Sequence, residues 1–155
     1  MKSDSGLRDI VLNLLDSRDV AVLATRGLEY PHTCLIAFAA SEDLRQLFFV
    51  TGRSTRKFEN LQRDNRVMML VDDRSNTVKD FDAATVITGR GRAYPMGTED
   101  ARKILPIYLA RHPHLETFAQ SENSEIVRVD IDSYAVVTRF QEVLILEMGK
   151  EPVKP

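Results

Sequence analysis

Arg53, Arg56 and Lys57 stand in one short stretch with the hydroxyls of Thr51, Ser54 and Thr55. An apolar β-type run, Leu47-Phe48-Phe49-Val50, precedes them; Thr51-Gly52 breaks it, and Phe58 and Leu61 then share a face at helical spacing. A strand therefore hands over to a helix N-terminus, whose first backbone N–H groups have no intrahelical partner. Cations, hydroxyls and free N–H groups in that arrangement suit one dianionic phosphate, so the stretch is the candidate site for a phosphate-bearing cofactor. A solvated basic turn with Ser54 or Thr55 as an ordinary N-cap would carry the same residues.

Elsewhere the chemistry is sparser. Arg90 and Arg92 lie two apart on a strand and share a face, placed to meet either an anion or water. His32, His112 and His114 are too few and too unevenly spaced for a metal set or a triad, and the aspartates between residues 72 and 82 lack the spacing of a calcium loop, so no metal is expected. Cys34, with no His or Lys beside it in sequence, reads as a small apolar strand residue. As the one cysteine it excludes an intrachain disulfide and fits a reducing cytoplasm.

The elements that must position these groups follow from the pattern. Residues 3–17 carry Leu7, Ile10, Val11, Leu14 and Leu15 at helical spacing, with Asp4 or Ser5 as the expected cap. Strands are expected over 19–25, 31–40, 47–50, 66–71 and 83–94, a helix over 54–63, and a polar connection over 72–82. Several of these strands are apolar on both faces, which an open sheet with one wet face would not be. A closed small barrel covered outside by a helix or a second subunit satisfies the pattern. A helix capped at Thr98 with a kink at Pro106, a short helix after Pro113, a strand over 126–131 and a closing strand or pair over 134–146 complete the chain. The 155 residues, 43% hydrophobic and 28% charged, fit one domain over 1–148, with a loose tail over 149–155. A formal charge of −2 and the absence of Trp argue against nucleic acid as partner, and no apolar run is long enough for a membrane helix.

This order of elements resembles the flavin-binding split barrel, a mainly β (α+β) fold of six to seven strands with an N-terminal helix and a helical insertion before the last strands. More closely, Val50-Thr51-Gly52-Arg53-Ser54-Thr55-Arg56-Lys57, followed by Asn60-Leu61 and Asp64-Asn65-Arg66-Val67, resembles the phosphate segment of the pyridoxamine 5'-phosphate oxidase family. The resemblance implies FMN held at a homodimer interface. Its phosphate would rest on Thr51, Ser54, Thr55, Arg56 and Lys57, with Arg53 where the family varies. The isoalloxazine would lie along Thr33, Cys34, Leu35 and Ile36, and Arg90, Arg92 and the loop bearing Phe81 would be candidates to reach the neighbouring flavin. The chain departs from the vitamin B6 oxidases at Ala84, where they carry a glutamine, and at Tyr108 and Arg111, one residue closer together than their substrate-phosphate pair. It also lacks their serine-glutamine segment and arginine-rich ending. The function so implied is electron or hydride transfer between a reduced donor such as NAD(P)H and a small acceptor, and not vitamin B6 oxidation itself. The alternatives are a non-catalytic flavin carrier or sensor, and a deazaflavin-dependent reductase.

Overall fold

The computed structural model describes residues 3–139 and 142–149. Seven antiparallel strands form one sheet in the order β3-β2-β1-β4-β5-β6-β7: β1 Val20–Arg26, β2 Pro31–Ala40, β3 Gln46–Gly52, β4 Arg66–Asp72, β5 Val86–Pro95, β6 Ser124–Arg139 and β7 Glu142–Glu147. An additional pairing of β3 with β6 closes the first six into a barrel, and β7 lies outside it on the far half of β6. The expected mainly β split barrel is thus the fold observed, with five helices among the described residues: α1 Asp4–Ser17, α2 Arg56–Arg63, α3 Asp80–Ala83, α4 Thr98–Arg111 and α5 Glu116–Ala119.

Alternation along the strands puts Ala21, Leu23, Phe49, Val67, Met69, Ile87, Val127 and Val129 inside, where they meet Leu7, Val11, Leu14 and Leu15 of α1. A second, smaller cluster lies beneath α4, where Tyr108, Ile104, Leu105 and Leu109 cover Ala39, Val50 and Ile126. The pairing of β5 with β6 shifts register between Arg90 and Gly91, the extra residue being Asp132 on β6, so that β6 bends there as the barrel closes. A Cβ at Gly91 would lie 2.1 Å from the Asp130 carbonyl oxygen, so only glycine lets the two backbones come this close.

Several boundaries differ from the expected ones. Ser3, and neither Asp4 nor Ser5, caps α1, its hydroxyl accepting from the Gly6 N–H. Gly97 precedes α4, and the helix runs through Pro106 without ending, held by the apolar contacts beneath it. The polar connection after β4 contains α3. The strand expected over 126–131 and the start of the closing pair are one strand, β6, because a bulge lets it bend from β3 and β5 towards β7 without a turn. Of the expected tail only Gly149 lies within the described residues. No described helix is long and apolar enough to cross a membrane.

Candidate functional site

Strand β2 belongs to two different parts of the sheet. Residues 31–37 pair with β1, whereas β3 joins β2 only through Phe38, Ala39 and Ala40. The first half of β2 therefore carries an open edge. Its polarity can be read from the pairing: the Phe38 N–H donates to the Asp19 carbonyl at 3.3 Å, and antiparallel residues alternate between facing the partner strand and facing away. Cys34 and Ile36 thus exchange bonds with β1, while the N–H and C=O groups of Thr33 and Leu35 face the open side. The Ala37 carbonyl, next in that alternation, accepts from the Tyr108 hydroxyl at 3.3 Å, as the same geometry requires.

The basic turn begins where β3 ends. Thr51 is buried and its hydroxyl lies 2.9 Å from that of Thr55; the Thr55 oxygen donates to the Gly52 carbonyl at 2.9 Å and accepts from the Phe58 N–H at 3.3 Å. Both threonines are therefore engaged in capping α2, with Thr55 as the N-cap. Arg53 is turned away, donating to the Glu122 carbonyl at 2.6 Å and to Glu125 at 3.2 Å. Ser54, Arg56 and Lys57 make no side-chain hydrogen bond or ion pair within the described residues. These three, at the start of α2, retain their full capacity for an anion.

Helix α2 is fixed to the sheet by a buried polar contact, Asn60 Nδ2 donating to Thr25 Oγ1 at 3.0 Å, while Arg63 donates to Asn60 Oδ1 at 2.6 Å. This attachment sets Lys57 close enough to β2 to act on Cys34. Burial pushes the Cys34 thiol up, and the Lys57 ammonium pulls it back down. Through Lys57 the basic turn in this way acts on β2. Beside Cys34 on the same face of β2, opposite Thr25 on β1, stands half-buried His32, whose buried Nδ1 has no hydrogen-bond partner among the described residues. Spacing for metal ligation gave no reason to single out His32; its place on the strand next to Thr33 was the signal available.

Of the residues assigned by sequence, Lys57 lies close enough to β2 for its charge to act on Cys34, Thr51 and Thr55 are engaged with one another at the head of α2, and Arg53 is directed elsewhere. Tyr108 and Arg111 are likewise occupied. Tyr108 is buried, which pushes its hydroxyl pKa up to about 12. Arg111 donates to the carbonyls of Leu15, at 2.5 Å, of Asp16, at 3.1 Å, and of Arg18, and its guanidinium lies 5.3 Å from the centre of the Phe38 ring. Next to them buried His112 places Nε2 2.7 Å from the Phe38 carbonyl oxygen.

The outer face of the barrel is apolar along its middle. Leu35 lies opposite Val22, and Val22 opposite Leu70; Leu35 is 72% exposed and Val20 51%. A cavity of about 830 Å³ opens on this face between Val22, Leu70, Val86 and the loop bearing Val78 and Phe81. Among the described residues no group of three His, Cys, Asp or Glu side chains is gathered as a metal site.

A family model described as pyridoxamine 5'-phosphate oxidase matches residues 7–138. No curated protein sequence matches the chain. Among solved structures, a heme binding protein from Mycobacterium smegmatis superposes with a TM-score of 0.81 at 13% identity, over 96% of this chain and 59% of that one. A putative pyridoxamine 5'-phosphate oxidase from Listeria innocua gives 0.68 at 17% identity, over 85% and 98%. An FAD-binding protein from Mesorhizobium loti gives 0.63 at 16% identity, over 80% and 88%. At these identities the superpositions establish the fold and leave the ligand open.

Proposed function

We propose, from the premise that the chain belongs to the pyridoxamine 5'-phosphate oxidase family, that it is an FMN-binding oxidoreductase working as a homodimer. The observation that carries this reading is the pairing of an open strand edge with an unpartnered basic turn. The Thr33 and Leu35 backbone groups face the opening left between β2 and β3, and Ser54, Arg56 and Lys57 stand at its end with no internal partner. Such an edge fits the polar rim of a flat, mostly apolar ring system, and the turn fits its phosphate.

When bound there, FMN supplies the electron and hydride chemistry. The residues of the chain position and tune. Arg56 and Lys57 give charge-assisted contacts to the phosphate, with Ser54 and the first N–H groups of α2 completing its shell. Thr33 and Leu35 offer backbone donors and acceptors to the ring edge, and Cys34 and Ile36 hold that strand against β1. The Lys57 charge, already felt at Cys34, favours added negative charge nearby. The exposed outer face around Leu35 and Val20 is of the kind a second subunit covers, excluding water from the site. Arg53, Tyr108 and Arg111 take no part, because each is committed to another segment of the chain. A reduced donor of the NAD(P)H class and a small acceptor complete the reaction.

The test is an absorption spectrum of the purified protein after addition of FMN and desalting, followed by mixing with NADH or NADPH. Flavin bands retained at about one per chain, bleached by either nucleotide, are expected. A colourless protein would overturn the cofactor assignment. A retained but unreduced flavin would overturn the oxidoreductase assignment and leave a carrier.

A further inference from the structure

We propose that the cavity on the outer face of β1, β4 and β5, bounded by Arg26, Arg66, Arg90 and Arg92, binds a small organic anion: a flat, apolar body bearing carboxylate or phosphate. The inference does not depend on the flavin reading. The cavity has a volume of about 570 Å³, within the roughly 300–1,000 Å³ span of small-molecule sites. Its floor is apolar, made by Ala24, Met68 and the backbone at Gly91, and Asp132 is the one carboxylate in its lining.

The strand register concentrates the charge. Arg66 lies directly opposite Arg92, and Met68 directly opposite Arg90, so guanidinium groups flank the methionine on neighbouring strands. Like charges set across from one another destabilise a sheet unless an anion lies between them. The chain meets part of that demand itself. Asp64 accepts from Arg66 at 2.7 and 3.0 Å and from Arg26 at 2.8 Å, and these contacts hold its carboxyl well below the usual range. One carboxylate thus serves two guanidiniums. Arg92 has a neutral partner, the Asn65 side-chain oxygen at 3.2 Å, and exposed Arg90 has no side-chain partner among the described residues. Positive charge is left over in a concave site with a greasy floor, although the chain as a whole carries a formal charge of −2.

That combination selects a class of ligand. An inorganic ion would gain nothing from Ala24 and Met68, and an uncharged aromatic would leave Arg90 and Arg92 unanswered. A planar guanidinium matches carboxylate and phosphate oxygens in bidentate geometry, so both are candidate head groups. The bulge opposite Arg90 and Gly91 lies on β6, and its extra residue, Asp132, is the carboxylate in the cavity lining.

The experiment is calorimetric titration of the full chain, at low ionic strength, with phthalate and with phenyl phosphate as the two charged probes and benzyl alcohol as the uncharged one. One site per chain is expected for a charged probe, weakening with added salt, with no binding of benzyl alcohol. The probe bound more tightly identifies the head group. The double variant Arg90→Gln/Arg92→Gln should lose at least about tenfold in affinity, and Met68→Glu, which sets a carboxylate on the floor, should lose it without touching either arginine. FMN uptake by the Met68→Glu variant should match that of the parent. The proposal is overturned if neither charged probe binds, if both variants bind them as the parent does, or if the variants lose FMN and keep the probes, which would assign the arginines to the flavin.

Discussion

The turn at the start of α2 and the last two turns of α4 both carry cations and hydroxyls beside the same sheet, yet the chain treats them oppositely. In α4, Tyr108 is bound to the Ala37 carbonyl, Arg111 to three carbonyls at the end of α1, and His112 to the Phe38 carbonyl. Every one of these groups closes a backbone acceptor that the fold leaves open. In the α2 turn the neutral hydroxyls of Thr51 and Thr55 do that work, and Ser54, Arg56 and Lys57 are left without internal partners. Residue type alone does not separate a ligand site from a structural clasp; whether the polar groups are already satisfied does.

The largest effect that would break this contrast lies in the turn. Replacing both cations, Arg56→Ala with Lys57→Ala, should cost FMN binding about 3 kcal/mol or more, over ~100-fold, since each charge-assisted contact is worth about 1.5–3 kcal/mol. Thermal stability without flavin should hardly move, because neither side chain has an internal partner among the described residues. Arg53→Ala in the same titration should leave the affinity within about twofold of the parent, its guanidinium being engaged by Glu122 and Glu125. An equal loss in both proteins would mean that the turn acts by general charge and not through particular residues.

The mirror experiment sits in α4. Arg111→Ala should lower the unfolding free energy by about 2–3 kcal/mol, read from the urea midpoint, because the carbonyls of Leu15 and Asp16 lose a charged donor at the C-terminal end of α1, where no helical N–H can replace it. Folded protein should still take up FMN at near the parental affinity. A selective loss of FMN with stability intact would return Arg111 to the site and dissolve the distinction.

The barrel was legible in the sequence because strands 19–25, 31–40 and 66–71 are apolar on both faces, and only closure or cover explains that. The turn at residues 51–57 was legible for a different reason, the change from period 2 to period 3.6 across a run of cations. What could not be read was commitment. The partners of Arg53 lie at residues 122 and 125, and those of Arg111 at residues 15–18, brought there by tertiary folding. The split in β2 was equally hidden, since its ten residues show no change of pattern where pairing with β3 begins at Phe38. The arginine cavity is an intermediate case: Arg90 and Arg92 were seen to share a face, but their meeting with Arg66 and Arg26 depends on the register of three strands.

The smallest expected effect tests whether the turn and the strand edge act on one another. Burial raises the Cys34 thiol and Lys57 opposes that shift, so Lys57→Gln removes the opposing charge while keeping most of the side-chain volume. The thiol then moves further up, its thiolate fraction at mildly alkaline pH falls, and alkylation by iodoacetamide should slow by about two- to fourfold, the size of a partly screened charge interaction. Added FMN should protect Cys34 in the parent, because Cys34 lies in the strand segment assigned to the ring. An unchanged rate in the variant would separate Lys57 electrostatically from β2. Protection by inorganic phosphate to the same extent as by FMN would instead place the blocking group at the turn and free the strand edge of any role in holding the ring.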